Sequence, residues 1–574
     1  MAHVYSVNRR AIAPGFHFVD PRTLILSSRP PAPLPPSFPP SPAGYILPSP
    51  VSGFQDLILQ RSLFAGNSLS TRLPLDPSIL IQMDEKRTQD LLQFMASEGL
   101  VPSLEEETKR KDVMEELKQI VLSWVRKVAW QRRLPKDIIA KTSATVLAYG
   151  SYGLGVHSSE SDIDALCIVP YFTTIEDDFF IVLRGMLQSR SEVSELHCVK
   201  TAKVPLMRFK FNGISIDFPY AQLRVGSVPP DVNIFDPSLV IPDDTSQKSL
   251  SGVRVNTRIL QLVPNLKYFQ AMLRCIKLWA KRRGIYSHLL GFFGGIHLAI
   301  LSAYICQRYH TASLSSLITL FFETFCHWRW PDPVILQGQS IPFKLPDERC
   351  FMPILLPCSP FDWCNSNITR STFRKIESEF RRGYEITKDL GRPDFEWYRL
   401  FDNFQYSESY HYFVRICLVS LDKDELQDWV GWVKSRFRSL LLKLEREHGF
   451  CDPNPKEYVD SSMDQPNTVF YWGLTHMGCP DINSIKEEFM KSINKEEYYS
   501  VAGSQSRLEL SLIETSQLPK DVEINSTSEI GSKAYWRIMD YYNHHRKLAY
   551  SHYLPHHFVG YVWTRGDLYT ASFP

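Results

Sequence analysis

The sequence predicts a multidomain α/β protein, and three observations carry that reading. Strand-like runs Thr145–Tyr149 and Ala165–Val169 flank a glycine-rich break, a helical pattern runs from Val263 to Gln307, and strand and helix alternate again over about 395–505. With 574 residues the chain is long enough for about three or four domains. A hydrophobic content of 44% and an aromatic content of 13% suit well-packed modules. The net charge of +2 decides nothing by itself, because a nucleic-acid binder of this balance must concentrate its positive residues locally. No run approaches the ~18 consecutive apolar residues that span a bilayer, so no membrane role is expected. Eleven cysteines without a C-x-x-C pair argue against a zinc site or a disulfide framework and suit a reducing compartment.

Residues 1–83 read as a disordered proline-rich extension. The first fifty hold twelve prolines, four arginines and one acid, Asp20, and the tract Pro30–Pro36 favours extended chain. A targeting peptide is the alternative, suggested by Arg9, Arg10 and Arg22, but the proline density breaks the amphipathic helix it needs. From Asp84 the pattern turns helical and Thr88–Met95 closes at Gly99. Pro102-Ser103 then caps a long helix with Glu105, Glu106 and Glu107 at its start and basic residues later, an order that complements the helix dipole. Leu117, Ile120, Val121, Trp124, Val125 and Val128 give it an apolar stripe. This helix is assigned packing and no chemistry.

The stretch Tyr149–Pro170, YGSYGLGVHSSESDIDALCIVP, organises the rest. Gly150 beside Ser151, with Gly153 and Gly155 following, lets backbone N–H groups approach and cradle a phosphate. Asp162 and Asp164 open the next apolar run and, two residues apart on a strand, share a face. Two close carboxylates repel unless a cation sits between them, and hard oxygen ligands select Mg2+ or Mn2+. A glycine-rich turn beside two solvated acids is the plain alternative. A third acid weighs against it. Val204–Phe211 reads as a strand, Asn212-Gly213 as a hairpin turn, and Ile214–Tyr220 as the return, on which Asp217 faces away from Ile216 and Phe218. If that hairpin pairs beside the Asp162/Asp164 strand, three carboxylates converge and can hold two metal ions.

In the helical module Phe269, Met272, Leu273, Ile276, Leu278 and Trp279 form an apolar surface. Lys277 sits just off it and Lys281 one turn on, so both reach one phosphate-bearing ligand from one side. A solvated basic face over 277–283 is the alternative. Tyr286 can stack on or hydrogen-bond a nucleotide. Gly291–Gly295 gives close backbone approach before a helix over His297–Gln307. In the third module His411–Val419 and Thr468–Leu474 are strands and Asp424–Glu447 is one helix. Lys434, Arg436, Arg438 and Lys443 form a basic cluster. Tyr535–Tyr553 reads as an aromatic and basic helix, and His544, His545, His556 and His557 as solvated surface rather than a metal site.

The Gly150-Ser151 and Asp162-Ile-Asp164 pattern with a later strand aspartate resembles the polymerase β-like nucleotidyltransferase superfamily. Gly150–His157 with Asp162–Cys167, Leu262–Asn265, Lys277–Ser287, Leu290–Ile296 and Trp328–Pro333 resemble the eukaryotic, plant-like poly(A) polymerases in particular, over about residues 85–455. The resemblance implies a nucleotidyltransferase palm over 84–235 with its N-terminal helices, a helical central domain over 236–394, an RRM-like α/β RNA-binding domain over 395–558 and a short tail over 559–574. It also implies that the basic cluster Lys434, Arg436, Arg438 and Lys443 could contact RNA phosphates, positioning without specifying. It implies a template-independent polynucleotide adenylyltransferase that adds AMP from ATP to RNA 3′ ends with two Mg2+ or Mn2+ ions. Asp162, Asp164 and Asp217 would be the catalytic and metal-binding residues. Tyr149, Gly150, Ser151, Ser158, Ile163, Lys277, Lys281, Tyr286, Gly295 and Ile296 would complete the nucleotide site. The implied partners are the RNA 3′ end, ATP and cleavage and polyadenylation factors, for a chain expected to be a monomer. The expected location is the nucleus, with the cytoplasm as the alternative because no basic tail follows.

The chain departs from the family where Gly153 and Gln222 stand for arginine, Ser251 for asparagine and Ile296 for valine. None removes a metal ligand; the first three bear on the catalytic rate. The competing readings are a catalytically weak RNA-binding or scaffold paralogue and a related transferase using CTP or UTP.

Overall fold

A computed structural model describes residues 77–519 except 201, 339–349, 360, 365–366, 393, 476–481 and 494–505. The proline-rich tract, the helix expected over Tyr535–Tyr553 with its four histidines, and the 559–574 tail lie outside the described residues. Among the described residues no helix is long and apolar enough to cross a membrane.

Helix α1 spans Pro77–Ser97 and so begins ahead of Asp84, where the sequence pattern turns helical. Proline in the first turn brings its preset φ and forfeits no needed N–H. Ile79 and Ile81 are exposed, so the opening turns show no apolar period to read. Further on, Leu91 and Met95 enter the core of the helical module. Thr88 Oγ1 donates to Ser315 Oγ at 3.1 Å, and Arg87 donates to the carbonyls of Leu390, Arg392 and Phe395. In space, therefore, α1 belongs with the central helices, although in sequence it precedes the catalytic sheet.

Helix α2, Leu104–Gln131, starts at a capping box. Ser103 Oγ accepts from Glu106 N at 3.2 Å, and Glu106 Oε2 accepts from Ser103 N at 2.7 Å. Its expected stripe is buried against one face of a five-stranded sheet. The strands are β1 Thr145–Tyr149, β2 Ile163–Val169, β3 Val193–Val199, β4 Leu206–Phe211 and β5 Ile214–Gln222, in the order β1-β2-β5-β4-β3. The β2–β5 pair is parallel and the others are antiparallel. Asn212 and Gly213 turn β4 into β5 with φ of 49° and 80°, as a tight type I′ hairpin requires. The pleat sends Ile163, Ala165, Ile216 and Phe218 toward α2, while Leu166, Ile168 and Ala221 face helix α3, Asp244–Leu262.

Helix α3 is shared between modules: Leu250 and Val253 pack on the sheet, Val255 and Ile259 in the helical core. That core continues through α4 Leu266–Arg282, α5 Gly295–Arg308, α6 Leu314–Cys326 and α7 Arg370–Thr387. Trp279 of α4 is its hub, with Phe322, Phe380 and Phe321 at centroid distances of 5.0, 5.6 and 6.2 Å. Leu278, expected on the same apolar surface, is only partly buried.

The C-terminal module runs β6 Tyr412–Val419, α8 Lys423–Lys434, α9 Phe437–His448, β7 Cys451–Asp452, β8 Asn467–Leu474, α10 Ile482–Ile493 and β9 Arg507–Glu514. Its antiparallel order, β7-β8-β6-β9, is the split βαβ arrangement of an RRM-like sandwich. The single helix expected over Asp424–Glu447 is in fact two. Ser435 Oγ and Arg436 Nη1 both donate to the Trp432 carbonyl, and Arg436 N turns to Val433 O, so the α-helical ladder stops there. Both faces of the sheet are covered. Val414, Ile416, Phe470 and Trp472 meet the helices, whereas Phe413, Cys417, Val469 and Tyr471 lie under Phe404, Tyr406, Tyr410 and Phe450.

The basic cluster read as an RNA contact is mostly engaged within the protein. Lys434 pairs with Glu457, Arg436 stacks 3.4 Å over the Trp432 ring, and Lys443 Nζ lies 3.6 Å from Glu488 Oε1. Arg438 is exposed. A buried ion pair joins this module to the central helices: Lys375 Nζ on α7 donates to Asp452 Oδ2 on β7 at 2.6 Å and to Tyr406 OH at 2.8 Å.

Candidate active site

Strand register places the acids. Asp164 stands opposite Asp217 on the parallel neighbour and opposite Tyr149 on the antiparallel one. Asp162 precedes β2 by one residue and shares the face of Asp164. The three carboxylates each offer an oxygen within 4.8 Å of the others. Burial, then Asp162 and Asp217, push the Asp164 carboxyl up to about 7. That is a charge cluster built for a cation, and its all-oxygen donors fit a hard divalent ion. Two countercharges are present. Arg208 Nε and Nη2 reach Asp217 Oδ1 and Oδ2 at 2.6 and 2.8 Å, and Lys277 faces Asp164 from the helical side.

The glycine-rich loop lies over the acids. Gly150 has φ +61°, and a Cβ there would stand 1.8 Å from Asp164 Oδ2, so the backbone passes where no side chain fits. Gly150→Ala is expected to cut catalytic activity about tenfold to a hundredfold through displacement of Asp164, and to lower the melting temperature as well, because alanine is strained at φ +61°. An activity assay paired with a melting curve checks it. At Gly153, one of the departures from the family, an added Cβ would meet Ala148 O at 2.9 Å and Asn256 Nδ2 at 3.0 Å, so a side chain there would be tightly confined. Gln222 is also a packing residue here, donating from Nε2 to the carbonyls of Tyr171 and Thr173. Ser251 lines the cleft and donates to Lys248 O at 3.0 Å.

From the helical side come Lys277, Lys281, Tyr286, Gly295 and Ile296, which close a cleft of about 910 Å³ over the acids. Burial first, then Lys281, lowers the Lys277 ammonium to about 8. Lys281 Nζ sits 5.8 Å over the Tyr286 ring, and a Cβ on Gly295 would stand 3.3 Å from Tyr286 OH. Tyr149, Gly150, Ser151, Ser158, Asp162, Asp164 and Asp217 form the opposite wall. Ile163 is the exception among the residues expected in the nucleotide site. It is fully buried on the α2 side of the sheet, because its odd position on β2 turns it from the acids.

Sequence reasoning missed Arg208, Asn256 and Leu356, which also line the cleft. Arg208 was findable: counting back from the two-residue turn pairs Phe211 with Ile214 and Arg208 with Asp217. Asn256 Nδ2 donates to Gly150 O at 2.9 Å, a contact between distant segments with no local signal.

Comparison with known proteins agrees with this arrangement. Residues 76–263 match the poly(A) polymerase nucleotidyltransferase domain, 268–403 the poly(A) polymerase central domain and 404–468 the "poly(A) polymerase predicted RNA binding domain". Nuclear poly(A) polymerase 3 of Arabidopsis thaliana is 52% identical over 483 residues, 83% of this chain and 94% of that protein. Nuclear poly(A) polymerase 4 of the same plant is 37% identical over 72% of this chain and 58% of its own length. The poly(A) polymerase of Dictyostelium discoideum is 35% identical over 70% and 52%, so the chain spans just over half of these two relatives. A crystal structure of the Cid1 poly(U) polymerase superposes with a TM-score of 0.38 at 14% identity, over 56% of this chain and 99% of that one. The third domain match makes RNA a partner, and the expected nuclear location agrees with the names of the Arabidopsis relatives. With three consecutive domain matches and a relative 52% identical over nearly its whole length, the chain belongs to the eukaryotic poly(A) polymerases, polynucleotide adenylyltransferases of the nucleotidyltransferase superfamily.

Proposed function

We propose that the cleft binds ATP against Lys277, Lys281, Tyr286, Gly295 and Ile296 and transfers AMP to an RNA 3′ end seated beside Asp217. The observation that carries this is the convergence in one cleft of an acidic triad, a glycine-serine loop and paired lysines from a facing helix. Asp162 and Asp164 would hold two divalent ions, Mg2+ or Mn2+, and Asp217 would help hold the one on the primer side. When bound, the ions supply charge neutralisation at the α-phosphate and lower the pKa of the 3′-hydroxyl. The 3′-hydroxyl would give its proton to a carboxylate of the triad as its oxygen bonds to the α-phosphorus, the α–β bridging bond breaks, and pyrophosphate departs. Ser151 and the loop backbone orient the triphosphate, while Lys277 and Lys281 balance charge on its outer phosphates. Tyr286 and the Gly295-Ile296 backbone bound the base. The chain would act as a monomer with cleavage and polyadenylation factors supplying the RNA end.

Primer extension with each of the four NTPs tests the reading: ATP alone should give long products, and equal use of CTP or UTP would overturn it. Lys277→Ala and Tyr286→Phe should raise the KM for ATP, about tenfold for the lysine from loss of a charge-assisted contact, while RNA affinity stays within about twofold. Weakened RNA affinity with an unchanged KM would place the nucleotide elsewhere.

A further inference from the structure

The loop from Gly150 to Asp162 is fastened from behind by its carbonyl groups. Arg274 Nη2 on α4 donates to Gly155 O at 2.7 Å, and Gln270 Nε2, one turn earlier, to Leu154 O at 3.0 Å. Arg110 Nη2 on α2 reaches the carbonyls of Ser158, Ser159 and Ser161 at 3.3, 2.8 and 2.6 Å. A trans peptide points its N–H opposite its carbonyl. Fastening Ser158, Ser159 and Ser161 therefore turns the N–H groups of Ser159, Glu160 and Asp162 the other way, and Ser158, Glu160, Ser161 and Asp162 all line the cleft.

The charge of these two guanidinium groups is as telling as their geometry. Arg110 is 3% exposed, and Arg110 Nη1 and Arg274 Nε have no hydrogen-bond partner among the described residues. Glu107, the acid of this cluster, places Oε1 2.9 Å from His157 Nε2. No carboxylate among the described residues makes an ion pair with either arginine. Arg110 is buried and Arg274 half-buried, and burial lowers both below the ordinary arginine value. Glu107 attracts both, and Glu106 and Asp162 attract Arg110, only from beyond ion-pair distance. A polyanion across one layer of backbone therefore offsets a desolvation cost that no direct ion pair meets.

We propose that Arg110 and Arg274 are positioning residues for the triphosphate: they hold the 150–162 loop with its N–H side toward the nucleotide and place positive charge that has no direct ion-pair partner behind it. The proposal rests on the reading of the cleft as an ATP site. Equilibrium binding of ATP and of adenosine to the full chain, with Mg2+ present, tests both. Arg110→Met and Arg274→Met should weaken ATP about tenfold to a hundredfold and adenosine by less than about threefold, since adenosine carries no phosphate. Arg110→Lys and Arg274→Lys should recover part of the ATP affinity by restoring charge without the fork. Arg274→Met, which frees a single carbonyl, carries the test if Arg110→Met does not fold. Equal losses for ATP and adenosine, or unchanged ATP affinity in the folded variants, would overturn the positioning role. A wild-type chain that fails to bind ATP would instead overturn the nucleotide reading.

Discussion

Asp162→Ala, Asp164→Ala and Asp217→Ala should each abolish RNA extension, by at least ~1,000-fold, because on the proposed mechanism each would remove a metal ligand and with it several kcal/mol of transition-state charge stabilisation. The fold should survive. Asp164 and Asp217 sit on strands held by neighbours on both sides, and their backbone bonds do not depend on the side chains. The sign of the stability change is informative. Asp164 is held up to about 7, above its ordinary value, because burial and its two acidic neighbours oppose its charge. A carboxylate whose folded pKa is raised contributes instability once the pH exceeds its unfolded value, so removing it from the metal-free chain costs no stability at neutral pH. For Asp164→Ala, a melting curve at or above wild type with extension gone is the expected pair of results. Near-normal extension in any folded variant would sink the triad.

Lys375→Met should cost about 3–5 kcal/mol, since it leaves Asp452 charged and buried without its partner. Both side chains are fully buried. The Lys375 ammonium also lies 3.9 Å from the Phe404 ring centroid and 4.4 Å from that of Tyr406, and Asp452 accepts a second bond from Tyr410 OH at 2.8 Å. Because Lys375 sits on α7 and Asp452 on β7, the loss falls on the junction between central helices and C-terminal sheet. The denaturant midpoint followed by the intrinsic tryptophan fluorescence of the chain measures it. The double variant Lys375→Met/Asp452→Leu should recover a large part, because a neutral pair strands no charge. A loss below about 1 kcal/mol in the single variant would show that the aspartate finds another partner.

Much of the site was readable because its signals are local. Two aspartates at i, i+2 share a strand face wherever the strand goes, and an Asn-Gly turn fixes which residues of a hairpin meet. The signals that failed were of two kinds. Some were present and overlooked: Arg110 continues the α2 stripe three residues before Val113 and seven before Leu117, so a cation on the apolar side was visible. Leu508, Leu510 and Leu512 alternate along β9, just beyond the 505 at which the strand and helix alternation was read to stop. Others have no local signature. The membership of α1 in the helical core rests on Ser315, Leu390, Arg392 and Phe395, all more than 200 residues away. The break between α8 and α9 depends on which carbonyl Ser435 and Arg436 choose.

The place of α1 has a mechanical consequence. With α1 in the helical module and α3 shared between the two, the sheet that carries the acids is an insertion, tethered to the central helices at both of its ends. One wall of the cleft belongs to the insertion and the other, with Lys277, Tyr286 and Gly295, to its host. A unit tied twice can rotate about the line between its tethers but cannot drift away, so the two half-sites meet at a high effective concentration. The entropy of bringing them together is largely spent when the chain folds, and it is not charged again for each nucleotide added.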